Sequence, residues 1–396
     1  MKRILILIYL IFVFLQIFSV DIGEFYATYF DVDKMINSND INIKIFGYFK
    51  KYLESGYSSY LKAANELRVE YDNNLTFKEK KLFDILSSIN PQTTLSPINR
   101  LNEFKNTYPD LLITDLLLIE FEYNQWKITG DPNLGAKVIN NINKLERVLL
   151  KSPFLIYYKS NFMFNSNLYG NKNDAYMIIK EGVLNFPDNK KIIETYITIS
   201  TSLKKNFEDD EIFEKISKTY IKEPEGDEKI LLFIAKHFFE KNDKDFAYNI
   251  VNKKILPNTK NYKILFLVYE LLGDYSDTYT QKMNYYKKAL EYDSDNSRVL
   301  SKWALAMLNV DYNKYKSLAR IALNKAVTLD PNLSEEALNA LKKLRNEIKI
   351  DVMFNYILPI LFFVAISIFI IIYFEKRKKQ KEKELMFKEG DENDRN

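Results

Sequence analysis

From residue 41 onward, apolar positions recur every three to four residues in segments broken by short polar turns, which is the spacing of amphipathic helices. Residues 41–54 and 58–72 predict one helical hairpin joined at Ser55-Gly56, and residues 77–89 a further helix stopped by Pro91. Residues 97–107 and 110–126 predict a pair around Pro109. The second of these, DLLITDLLLIEFEYNQW, is apolar around most of its circumference, which predicts a helix packed on several sides. Asp131-Pro132 opens a helix over 133–150, because proline suits a first turn. Residues 154–169 and 174–186 then pair around 170–173, and residues 190–203 and 208–220 pair through 204–207. Residues 229–241 and 244–255 meet at Asn242-Asp243, and residues 262–272 and 277–292 meet at Gly273. Two helices within 301–331 turn near 311–313. Ser334 caps a last helix, on which Ala337, Leu341, Leu344 and Ile348 keep one apolar face. Residues 20–40 have no clear period and are expected to form an N-terminal capping segment.

Two segments lack the alternation. Residues 1–19 join Lys2 and Arg3 to an apolar run from Ile4 to Phe18, interrupted at Tyr9 and Gln16, with Ser19 as a small residue for cleavage. This is the pattern of a secretory signal, read either as a cleaved signal peptide or as an uncleaved signal anchor. In both readings the chain that follows crosses a membrane. Residues 352–374 carry no charge, with Asn355 and Pro359 as the interruptions near the start. That length spans a bilayer with some tilt and predicts a transmembrane helix. Residues 375–396 open with EKRKKQKEKE and continue with mixed charge, so the positive-inside rule makes this tail cytoplasmic. Lys342, Lys343, Arg345 and Lys349 flank the other side, and the export signal decides the orientation. The expected location is the cytoplasmic (inner) membrane, single-pass, with the helical array extracytoplasmic. With no Gly/Ser-rich linker between them, the last helix is expected to run unbroken from Ser334 into the membrane.

Within residues 301–331, SKWALAMLNVDYNKYKSLARIALNKAVTLDP, small residues fall where two helices must approach closely. The stretch resembles a tetratricopeptide repeat, a helix–turn–helix unit of about 34 residues. Counting back from Pro331, Trp303 takes the early aromatic position, and Ala319 and Ala326 the two small positions of the second helix. Ala306 and Met307 depart from the Leu-Gly the family prefers, and Val310 from its Tyr. Ala175 precedes Pro187 by the same twelve positions that separate Ala319 from Pro331, and Gly182 stands where Ala326 does later. Ala289 takes the small position in 277–292, with Ser294 in place of the closing proline. Such units stack rather than fold alone. The expected fold is therefore all-α: a TPR-like solenoid of helical hairpins over 41–350, plus one C-terminal transmembrane helix over 352–374.

Composition agrees with helices. Gly 10 and Pro 10 are few for 396 residues, which disfavours a many-stranded fold. Tyr 28 and Phe 28 are abundant, as ring packing between stacked helices requires. There is no Cys, hence no disulfide and no thiolate chemistry. Without Lys2, Arg3 and the tail after Phe374, 47 basic residues face 46 acidic ones, so there is no footprint for nucleic acid. His237 is the one histidine, and with no second His and no Cys a zinc or copper site is not expected. The acidic run 208–211 reads as a helix start, since it lacks the ligand spacing and Gly of an EF-hand loop. Gly-rich phosphate loops and the G-x-S-x-G context are both missing. No catalytic, metal or cofactor-binding residue is expected, and no enzyme.

In tetratricopeptide proteins the concave groove commonly holds an extended peptide or a partner's helix. The resemblance carries the groove positions to Tyr157, Ser160, Phe164 and Asn167 in one repeat and to Ser301, Ala304, Leu308 and Asp311 in the other. The implied role is a non-catalytic, membrane-anchored scaffold of bacterial type for a protein or peptide partner, itself an envelope or membrane protein. Two alternatives stay open: an envelope assembly or stress factor of the aerotolerance-operon type, and an envelope hydrolase or its regulator with an unrecognised site.

Overall fold

The computed structural model describes residues 29–91, 95–149, 151–222 and 226–393, all of it helix, turn and loop. The expected signal at 1–19 lies outside the described residues, as do the first residues of the capping segment. The chain divides into two compact units, Met1–His237 and Phe238–Asn396.

In the first unit α1 (Val32–Ile36) leads into α2 (Ile41–Ser55), α3 (Ser58–Glu70) and α4 (Phe77–Ser87). These are followed by α5 (Leu95–Thr107), α6 (Leu112–Thr129), α7 (Pro132–Glu146), α8 (Pro153–Asn165), α9 (Lys172–Asn185), α10 (Lys190–Ser202) and α11 (Asp210–Tyr220). α12 (Glu228–Glu240) carries the division between units. Short polar residues set the starts. Asp40 accepts the N–H groups of Asn42 and Ile43, and Thr76 with Glu79 forms a capping box. Gly56 and Gly130 end α2 and α6 in the left-handed region, where a side chain would be strained. α6 is packed on several sides, as its pattern predicts: Leu116, Leu117, Leu118 and Ile119 are all buried. It also carries buried carboxylates, each with a partner. Asp115 pairs with Lys105, and Glu122 accepts from the Asn141 amide at 2.8 Å.

Some expected bounds shift for local reasons. The helix expected over 154–169 stops at Asn165, because Ser166 Oγ accepts the N–H groups of Leu168 and Tyr169 and turns the chain out. Tyr169 then donates its hydroxyl to the Pro132 carbonyl at 2.8 Å. The helix expected over 133–150 ends at Glu146.

In the second unit α13 (Lys244–Ile250) continues as a π turn over Val251–Ile255. It is followed by α14 (Tyr262–Tyr275), α15 (Tyr279–Tyr292), α16 (Ser297–Val310), α17 (Tyr312–Leu329) and α18 (Glu335–Val352). Gly273, expected in a turn, lies inside α14 and is pressed against the Tyr286 ring of α15. The stretch resembling a repeat folds as a hairpin whose small residues do the packing. Ala319, Ala322, Leu323 and Ala326 of α17 join Leu300, Ala304 and Met307 of α16 in one buried cluster. Ala337, Leu341 and Leu344 of α18 close the same cluster.

No linker follows α18. A π turn over Met353–Ile357 leads into α19 (Leu358–Asn393). Pro359 has no N–H, and its ring crowds the carbonyl four residues back, at Asn355. A π turn widens the backbone there. Residues 353–381 form a helix long and apolar enough to cross a membrane, and its apolar side chains are all exposed.

Candidate functional site

The first unit holds a cleft of about 1750 Å³ between its N-terminal segment and the hairpins α9 to α11. One wall is Phe30, α1 with its flanking loops, and Ile43, Lys51 and Glu54 of α2. The other is the α9–α10 loop, Lys191, Ile193 and Glu194 of α10, and Thr219 and Tyr220 of α11. An ion pair bridges the two walls: Lys191 reaches Glu54 Oε1 at 3.3 Å and lies 4.9 Å over the Phe30 ring. Burial works against the Lys191 charge, but the fields of Glu54 and Glu120 outweigh it and hold the ammonium above its ordinary value. On the same wall as Lys191, Tyr220 donates to Glu194 at 2.7 Å and also accepts the N–H of Asp227 at 2.8 Å. Burial nevertheless raises the Glu194 carboxyl above the usual range.

The lining is acid-rich. Seven carboxylates (Asp31, Asp33, Asp40, Glu54, Asp188, Glu194 and Asp227) face four lysines (Lys34, Lys51, Lys190 and Lys191). Several of the carboxylates also cap helices: Asp31 caps α1 and Asp40 caps α2. The lining also includes the apolar residues Phe30, Ile43, Pro187 and Ile193, of which Pro187 is exposed and the other three are buried.

The groove positions fall in different environments. Tyr157 is half-buried and packs on Phe30 at 4.9 Å, beside the cleft, while Phe164 is half-buried beneath Lys172. Ser160 is buried, with its hydroxyl turned to the Tyr157 carbonyl of its own helix. Asn167 lies beyond the end of α8, in the bend made by Ser166. In the second unit Ser301 and Ala304 are buried, Ser301 bonding back to the Arg298 carbonyl and Ala304 sitting in the core cluster. Leu308 is half-buried against that cluster. Asp311 is exposed but serves as the N-cap of α17. Ser160, Ser301 and Ala304 therefore present no surface to a ligand, because the faces that carry them turn into the helix stack. Tyr157, Phe164 and Leu308 retain partial exposure.

The walls of the cleft were not visible as a site in the sequence, because Glu54 and Lys191 stand 137 positions apart. A second grouping also joins residues from separate helices. Asp210 and Glu214, at i and i+4 on α11, come against His237, with candidate ligand atoms within 4.8 Å of one another. His237 Nδ1 lies 2.8 Å from the Asn206 amide and Nε2 3.2 Å from Asp210, while Glu214 accepts from Lys218 at 3.0 Å. The i, i+4 carboxylates were the signal for this grouping.

No family model matches the chain, and no curated protein matches it. Among solved structures, it is similar to a chain of the APC/C hetero-tetramer Cut9–Hcn1 (14% identity, TM-score 0.44), over 79% of this chain and 58% of that one. It is also similar to human IFIT1, in a dimer with PPP-AAAA (12%, TM-score 0.34, 84% and 70% of the two chains). The TPR domain of P58(IPK) is a third (10%, TM-score 0.27, 81% and 97%). The fold class stands on the hairpins themselves: among the described residues the chain is all-α, built of TPR-like helical hairpins, with one apolar helix toward the C-terminus long enough to cross a membrane.

Proposed function

We propose that this protein is a non-catalytic, membrane-anchored scaffold whose first unit holds an extended, positively charged segment of a partner protein in the cleft between α1–α2 and α9–α11. The observation that carries the reading is the excess of carboxylates over lysines around an open cleft. Tyr157, beside that cleft, is the groove position best placed to serve it. In this reading residues 1–19 direct export, residues 352–374 span the cytoplasmic membrane, residues 375–396 form the cytoplasmic tail, and the partner is an envelope or membrane protein.

The test is a titration of the full chain in nanodiscs with two extended peptides of equal length and apolar content, one carrying Lys and Arg, the other Glu. The basic peptide is expected to bind. Asp33→Lys with Asp188→Lys, both at exposed positions on the two walls, should weaken it about tenfold. Equal binding of both peptides, or binding indifferent to the charge reversal, overturns the reading. The absence of Cys permits a separate test of sidedness. Met177→Cys is exposed and should label with an impermeant maleimide in intact spheroplasts. Labelling only after lysis overturns the extracytoplasmic placement.

A further inference from the structure

α17 begins beside the last turns of α18. Tyr312 donates its hydroxyl to Glu347 Oε1 at 2.6 Å, and the Lys343 ammonium lies 4.6 Å over the Tyr312 ring. Tyr312 and Tyr315 both pack on the cluster shared by α16, α17 and α18, so this end of the hairpin is rigidly tied to α18. Glu347 stands six residues before Met353, where the apolar span begins, and the backbone between them is helical. At about 1.5 Å per residue the separation along the axis is about 9 Å. The headgroup layer occupies roughly 5–7 Å on each side of the hydrocarbon. If the apolar helix crosses a bilayer, as the reading above has it, the start of α17 is held about 2–4 Å beyond the headgroup layer, within reach of an extended lysine side chain.

What this end presents is cationic. Lys314, Lys342, Lys343 and Arg345 are exposed and Lys316 is half-exposed. Lys314 lies 5.0 Å over the Tyr315 ring. Two of the acids here are engaged: Asp311 accepts the Lys314 N–H, and Glu347 accepts from Tyr312. Tyrosines between an apolar footing and a polar layer, with lysines beside them, are the side chains that suit a bilayer interface. The cations that blurred the positive-inside pattern thus have a surface to meet.

We propose that the start of α17 and the adjoining turns of α18 dock onto anionic phospholipid headgroups of the bilayer that α19 crosses. Lys314 and Lys316 reach toward headgroup phosphates, and Tyr312 and Tyr315 face the interface. Docking fixes the tilt of the second unit on the membrane. This rests on the membrane-spanning reading, and the experiment separates the two.

Two single-Cys chains carry a spin label, one at Asn313→Cys on the exposed start of α17 and one at Ser367→Cys within the apolar helix. Each is placed in nanodiscs of phosphatidylcholine alone and of phosphatidylcholine with phosphatidylglycerol. The Ser367→Cys label is expected to be accessible to oxygen and shielded from a water-soluble nickel chelate in both discs. The opposite result overturns the spanning reading and the docking with it. With Ser367→Cys in hydrocarbon, the Asn313→Cys label should lose nickel accessibility when phosphatidylglycerol is added. Each of Lys314→Glu and Lys316→Glu should shift the docked-to-undocked ratio back by roughly fivefold. These side chains lie outside the core, and a retained helical circular-dichroism spectrum confirms that the variants fold. Equal nickel accessibility in both discs, unchanged by charge reversal, overturns the docking and leaves the anchor standing.

Discussion

Lys50 reaches Glu120 Oε1 at 2.9 Å from a position only 2% exposed. The same ammonium donates to the Tyr29 carbonyl at 2.9 Å and lies 3.7 Å over the Tyr29 ring, so one charge ties α2 and α6 to the chain ahead of α1. Burial lowers the pKa of Lys50, and the Glu120 charge opposes that effect. Glu120→Ala would leave the ammonium buried with only a carbonyl and ring faces, and is expected to cost about 3–5 kcal/mol. Lys50→Met should cost less, because Glu120 keeps the hydroxyl donors Tyr29 and Tyr158 at 3.2 and 3.3 Å. The pair Lys50→Met with Glu120→Gln should return close to the parent stability, because the amide oxygen still accepts from Tyr29 and Tyr158. Urea midpoints of the three variants test the ordering. A double variant as unstable as Glu120→Ala would show that the ion pair does more than neutralise itself.

Gly273 touches Tyr286 where any side chain would collide. A methyl there would stand 2.6 Å from Cδ1 of a ring that is buried and held by its hydroxyl on Asp274 at 2.8 Å. Gly273→Ala gains about 1 kcal/mol of helix propensity but meets an overpacking cost of about 3 kcal/mol, for a net loss of about 2 kcal/mol. In a Tyr286→Ala background the same change should become stabilising, since only the propensity gain remains. A double-mutant cycle by urea unfolding checks the sign reversal. Persistence of the loss in that background would place the strain in the backbone instead.

Glu194 and Glu122 give the first unit a pH dependence of defined sign. Burial raises both carboxyls above 4.5, and the Tyr220 hydroxyl and the Asn141 amide only partly counter it. The folded chain therefore binds these protons more tightly than the unfolded chain does. The stability they add is full below 4.5 and is lost as pH rises through their folded values. Glu194→Gln keeps an acceptor for Tyr220 and removes that titration. Its melting temperature should fall less than the parent's between pH ~4.5 and ~7. Parallel profiles would show that Glu194 titrates alike in both states.

Helices were legible because apolar period and end signals act locally: Gly56 and Asp131 mark ends at which the structure turns. The tight contact of α16 with α17 was legible through Ala319 and Ala326, because only small residues permit it. What failed to show locally depended on distant chain. Gly273 reads as a turn residue until Tyr286 is placed beside it. Ser160 and Ser301 read as groove residues until their faces are seen to turn inward. The cleft joins Glu54 to Lys191 across most of the first unit, and no period or motif links two such residues.

Asp311 separates a structural role from a binding one. It closes α16 and opens α17, accepting the N–H of Lys314 at 3.0 Å. As a cap, it can be replaced by Asn with little effect, whereas Asp311→Ala should cost about 1 kcal/mol. Both changes remove one negative charge from the cationic end of the hairpin, so both should strengthen attraction to anionic lipid alike. Stability and lipid docking should therefore part company. Urea unfolding should distinguish Ala from Asn at this position, while phosphatidylglycerol-dependent shielding of the start of α17 should not. Equal stability of the two variants would remove Asp311 from the cap. Unequal docking at matched stability would give its side chain a direct place at the headgroups, because charge alone cannot tell Ala from Asn.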